Sequence, residues 1–79
     1  MDKLIDIANR AVADYGFRQA VLYSYDDVAR RAGLSTQERT VLEETVLERL
    51  VALPVPVQPE DIPEQQARLA EAIRAAARA

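Results

Sequence analysis

Apolar residues near the start of the chain recur at Leu4, Ala8, Ala11, Val12 and Tyr15, the i, i+4, i+7, i+8, i+11 spacing of one buried helix face. This predicts a helix over residues 2–15, ended by Gly16. Phe17, Ala20, Val21 and Leu22 make the next segment, 17–23, apolar enough for a helical turn or an extended connection. Helix is the better reading, because a lone strand would have no partner to pair with.

The clearest pattern runs from residue 25 to 53, YDDVARRAGLSTQERTVLEETVLERLVAL. Ser24 with Asp27 and Ser35 with Glu38 each have the S/T-x-x-D/E spacing of a capping box, in which the hydroxyl accepts from a backbone N–H. Gly33 stands where a helix C-terminus needs a residue at positive φ. A short helix over 25–32, a glycine stop and a longer helix over 36–53 follow. Val41, Leu42, Val46, Leu47, Leu50, Val51 and Leu53 give that longer helix a wide apolar face, expected at the centre and covered from more than one side.

Pro54, Pro56, Pro59 and Pro63 then interrupt the pattern. LPVPVQPEDIP lacks the N–H groups a helix needs and should be extended or polyproline-like. Beyond it, residues 62–79 carry a narrow apolar stripe of Ile62, Leu69, Ile73 and Ala76. Asp61 and Glu64 repeat the cap spacing, and Pro63 fits a first helical turn. The expected fold is all-α, a small bundle of four to five helices with a proline-rich connection before the last one. Its parts are a helical core at 1–53, a linker at 54–61 and a C-terminal amphipathic helix at 62–79, docked or arm-like.

At 79 residues the chain is one domain at most. A core of this size buries roughly 60% of the unfolded surface and is only marginally stable alone, so a dimer interface or a larger partner is plausible. A net charge of −3 does not suit a protein that coats nucleic acid or an anionic membrane. With no Cys there are no disulfides or thiolate sites, and with no His the commonest metal ligand and general base is missing. Charges at Asp2, Lys3, Asp6, Arg10, Asp14 and Arg18 rule out a signal peptide or membrane span at the start, so a cytoplasmic protein is the expectation.

VARRAGLS resembles the first helix and turn of many bacterial helix-turn-helix regulators, with Ala29 and Gly33 four apart. In that reading Thr36, Gln37 and Arg39 would face base edges, and Arg30 and Arg31 the phosphates. The glutamates along the same helix would repel phosphate, and its apolar girth suits a core element better than a groove reader. Arg30 and Arg31 are equally well explained as a solvated helix face.

A second likeness covers residues 9–53. The stretch FRQAVLYSYDDVARRAGLSTQERTVLEETVLERLVAL is similar to the small all-helical domain shared by the small subunit of extradiol ring-opening dioxygenases and the leader regions of some ribosomally made, modified peptide precursors. The matching positions are Phe17, Arg18, Ala29, Gly33, Leu34, Ser35, Glu38, Arg39 and Leu42, while Ser-Tyr-Asp-Asp stands where the pattern usually has Asp-Pro. The resemblance implies a non-catalytic partner or docking module. For a dioxygenase subunit, the metal ligands would lie in another chain. For a precursor, the C-terminal part would be the substrate, yet residues 46–79 contain no Ser, Thr, Cys, Tyr, Trp, His, Lys or Asn to modify.

Independent catalysis has little to work with. Ser24 and Ser35 read as caps, Asp26 and Asp27 suit the first turn of a helix, and both glycines sit at predicted helix ends. Tyr15, Tyr23 and Tyr25 read as core aromatics. The expected function is a non-enzymatic protein-interaction module without cofactor or metal, acting as a homodimer or the small partner of a larger protein. Val55, Val57, Ile62, Leu69 and Ile73, beside the proline spacer, are the expected interface.

Overall fold

The computed structural model describes all of residues 1–79 and is all-helical in its regular structure, with no strand. Helix α1 spans Asp2–Ala13 and α2 spans Tyr15–Ala32. A third helical run, 36–52, consists of α3 (Thr36–Val41), a π-helical turn (Leu42–Val46) and α4 (Leu47–Ala52). After an irregular stretch, a 3-10 turn (Pro59–Asp61) leads directly into α5 (Ile62–Arg78).

The first helix boundary is set by Asp14 rather than Gly16. Asp14 is extended, its N–H closes α1 on the Arg10 carbonyl at 2.8 Å, and its Oδ1 accepts from the Phe17 N–H at 3.1 Å. One aspartate therefore ends α1 and caps α2, as its short acceptor side chain favours. Gly16 lies inside the first turn of α2.

The break expected at Ser24 is present in another form. Residues 15–32 are one helix kinked at Ser24, whose φ of −139° and ψ of 40° are not helical. No capping box forms there, because Asp27 pairs with Arg30 and Arg31 instead. At the far end Gly33 adopts φ 70°, ψ 38°. Its N–H reaches the Arg30 carbonyl at 3.2 Å and the Leu34 N–H reaches that of Ala29 at 3.0 Å. This paired closure of the last carbonyls is a Schellman motif. Ser35 then forms the expected capping box: Glu38 N–H to Ser35 Oγ at 3.1 Å, and Ser35 N–H to Glu38 Oε1 at 2.9 Å.

The π-turn within 36–52 has a physical reason in the sequence. Leu42, Val46 and Leu50 are all fully buried but are spaced four apart. In an α-helix of 3.6 residues per turn that spacing drifts by about 40° at each step. The Leu47 N–H bonds back to the Leu42 carbonyl, an i→i+5 link. This wider turn absorbs the drift and keeps the three side chains on the core.

The last helix is part of the bundle. Helix α1 packs against α5 and α2, and α5 also meets α3 and the π-turn. Gln66 donates to the Asn9 carbonyl at 2.9 Å, and Leu69 and Ile73 join the core of Leu4, Ala8, Ala11 and Val12. A radius of gyration of 11.4 Å is about that of a fully compact chain of this length, with no arm extended. The expected cap on Asp61 is not made, since Glu64 pairs with Arg68 at 2.6 Å. The proline segment is shorter than its sequence suggests, because Pro59 already starts the 3-10 turn.

Candidate docking surface

One charged side chain is buried at the junction of the helices. Arg18 is only 2% exposed and has no carboxylate partner. Its Nε donates to the Ala11 carbonyl at 3.1 Å, one terminal nitrogen to Val12 at 3.1 Å and the other to Pro54 at 3.0 Å. Ala11 and Val12 lie in the last turn of α1, whose free carbonyls form the negative end of the helix dipole. A planar guanidinium can satisfy several such acceptors at once, which an ammonium cannot. Arg18 thereby ties the end of α1 and the start of the proline segment to α2. In the sequence, an arginine between Phe17 and Val21 was the available signal for this role.

Arg18 also fixes how α2 lies on the 36–52 run. It meets Pro54 near one end of α2, while Asp26 pairs with Arg39 near the other, so the two helical runs are antiparallel. Helix α2 packs against α4 along this pairing.

The large exposed apolar side chains all belong to α2, α4 and the residues just after α4. They are Tyr15 (42% exposed) and Tyr23 (84%) on α2, Val51 (71%) on α4, and Val55 (66%) just beyond it. Helices α1 and α5 contribute none. Tyr15 lies beside the Arg18 guanidinium, 5.4 Å from ring centre to Cζ, and only Tyr25 packs against the core. Of the three tyrosines assigned to packing, two are therefore surface residues.

The interface residues expected from sequence separate into two groups. Val57, Leu69 and Ile73 are buried within this chain and Ile62 packs half-buried against the core, whereas Val55 is open to solvent. The narrow stripe of α5 is thus occupied by α1.

The residues considered for DNA contact lie around the α2–α3 turn. Arg30 and Arg31 both pair with Asp27, the latter at 3.0 Å, and Arg39 pairs with Asp26. Thr36 and Gln37 are exposed, with the Gln37 amide 3.4 Å from the Ala77 carbonyl at the end of α5. Each of the three arginines thus has an aspartate for its nearest charge.

Glu38 is the other buried charged residue, 8% exposed. The Ser35 backbone N–H, chiefly, holds its carboxyl below the usual carboxylate range, against an opposing desolvation cost. The Ser35 hydroxyl and the amino group of Met1, 3.7 Å away, act in the same direction. Its role is to close the capping box.

Two clefts flank the core. One, about 210 Å³, lies between α4 and α5 over Val12 and Leu53, with Arg49 and Arg68 at its rim. The other, about 310 Å³, lies between α1 and α2, lined by Ile7, Phe17, Val28 and Ala32 with Arg10 and Arg31. Arg10 covers the Phe17 ring at 4.1 Å. Neither cleft holds a serine, threonine or carboxylate.

No protein-family model, curated protein or solved structure matches this chain. Fold and surface together define a small all-α bundle whose large exposed apolar side chains are carried by α2, α4 and the residues just after it, and by neither α1 nor α5. No helix is long and apolar enough to cross a membrane.

Proposed function

We propose that this chain is a non-enzymatic helical protein-interaction module, working as a homodimer or as the small partner of a larger protein. The observation that carries the reading is that the large exposed apolar side chains are carried by α2, α4 and the residues just after α4, with none on α1 or α5. A chain of this size gains little by leaving Tyr23 and Val51 in water, and apolar surface rimmed by charge is characteristic of contact sites. Both buried charged residues have structural duties: Arg18 ties three segments together and Glu38 closes a cap. The likeness to the dioxygenase small subunit points the same way, towards an accessory role in the cytoplasm beside a catalytic chain.

The DNA-binding alternative is weaker, because Arg30, Arg31 and Arg39 would each have to leave an aspartate to reach phosphate. A precursor-peptide role is weaker too, since the segment to be modified is a helix packed into the core.

Sedimentation equilibrium of the chain alone, with affinity capture from cells of its source, tests the reading. Self-association or capture of a partner that is lost in Val51→Asp and retained in Arg74→Gln is the expected result. A monomer with no Val51-dependent partner would refute it.

A further inference from the structure

The outward stripe of α4 carries charge as well as apolar surface, and along that stripe the charge is acidic. Glu44, Leu47, Glu48 and Val51 follow i, i+3, i+4, i+7, so they form one stripe along the end of the π-turn and α4. The stripe lies away from the buried line of Leu42, Val46 and Leu50. Leu47 is half-buried against the core, while Glu44, Glu48 and Val51 are exposed. Tyr23, the most exposed large apolar residue, lies on the antiparallel α2 that packs against α4.

The molecule's ion pairs involve Glu38, Asp26, Asp27, Glu64 and Glu71, and none involves Glu43, Glu44 or Glu48. Three adjoining carboxylates are therefore left without a cation. Arg49, the only basic residue in this stretch of helix, belongs to the opposite flank, where it rims the cleft towards α5 with Arg68.

Resting on the interaction-module reading, we propose that the stripe Glu44–Leu47–Glu48–Val51 receives a basic amphipathic helix of another protein. Apolar residues of the incoming helix cover Leu47 and Val51, and its lysines or arginines meet Glu44 and Glu48, with Glu43 adjoining. This is the helix-on-groove mode of recognition, in which apolar anchors supply affinity and the charged rim selects the partner. A second copy of this chain fits the face poorly, because a two-fold contact would bring the same carboxylates towards one another.

The probe is a synthetic Leu/Lys amphipathic peptide of about 14 residues, roughly four helical turns. A Leu/Glu peptide of the same pattern and an all-polar Lys peptide of the same charge serve as controls. NMR titration of the full chain is expected to move Leu47 and Val51 resonances with the Leu/Lys peptide only. Binding should weaken roughly tenfold or more in E44K/E48K, and again as salt rises from about 0.05 M to about 0.5 M. Val51→Ser should also weaken it while leaving thermal unfolding unchanged.

Equal response to all three peptides, or affinity indifferent to E44K/E48K, overturns the proposal. So does a dimer of this chain that dissociates on Val51→Ser, although the interaction-module reading then stands. Absence of peptide binding with no association at any surface ends both.

Discussion

The α1–α5 side and the α2–α4 side of this bundle use apolar residues in opposite ways. The stripe on α5 is narrow, and Leu69, Ala70 and Ile73 are all buried against neighbours. The apolar face of the 36–52 run is wide, and the core takes only part of it: Val41, Leu42, Val46 and Leu50 go inside, Leu47 is half covered and Val51 remains in water. A narrow stripe can be sealed by one neighbouring helix. A wide one needs neighbours on both flanks, and α2 covers its flank incompletely. The lesson is that surplus apolar width in a small bundle marks the side available to something else.

The contrast breaks most severely where the two sides are tied together. Arg18→Met removes a buried cation from three carbonyls and leaves them without donors. We expect a loss of about 3 kcal/mol or more, a large part of the roughly 4–12 kcal/mol a domain of this length has. Urea unfolding followed by far-UV circular dichroism measures it, and Arg18→Lys should recover only part, since one ammonium cannot span all three acceptors.

A matched pair of truncations sharpens the comparison directly. Ile73→Ala, at a fully buried position against α1, should cost about 2–5 kcal/mol. Val51→Ala, 71% exposed, should stay within about 0.5 kcal/mol while changing association. Equal costs at the two sites would mean that the open side is not open in solution.

An effect smaller than that at Ile73 concerns the Ser35–Glu38 cap at the start of the 36–52 run. Glu38→Gln should cost about 1 kcal/mol at neutral pH. Because the folded carboxyl titrates below its usual 4.5, the stability it contributes is fully present above that value and lost as pH falls through the folded one. The wild-type chain should therefore lose more stability than Glu38→Gln on acidification below about pH 4.5, in unfolding series at fixed salt. Parallel acid limbs would remove Glu38 as a source of the pH dependence.

Much of the local structure was legible in the residues. The Ser35–Glu38 box and the Gly33 stop depend on backbone groups within a few positions, and both form as their spacing implies. Ser24–Asp27 has the same spacing and fails, because Arg30 and Arg31 compete for Asp27. Gly16 looked like a helix end, yet Asp14 with its own acceptor two residues earlier made the boundary first. The candidate interface was legible only in part. Val55 is on the surface as its spacer position suggested, but the apolar residues of α5 met a complementary face in the same chain. Tyr23 and Val51 carried no mark separating them from Tyr25 and Leu50.

By itself the sequence determined the helical class, the turn at Gly33, the cap at Ser35 and the width of each apolar stripe. Those follow from contacts within one or two turns of the chain, where spacing is geometry. Only the tertiary structure decided that α5 folds back on α1, that Arg18 rather than an apolar residue plugs the junction, and that the π-turn realigns Leu42, Val46 and Leu50. It also decided that Val51 and Tyr23 stay outside. Each depends on which faces meet across many residues, and burial is a property of that meeting rather than of any one position.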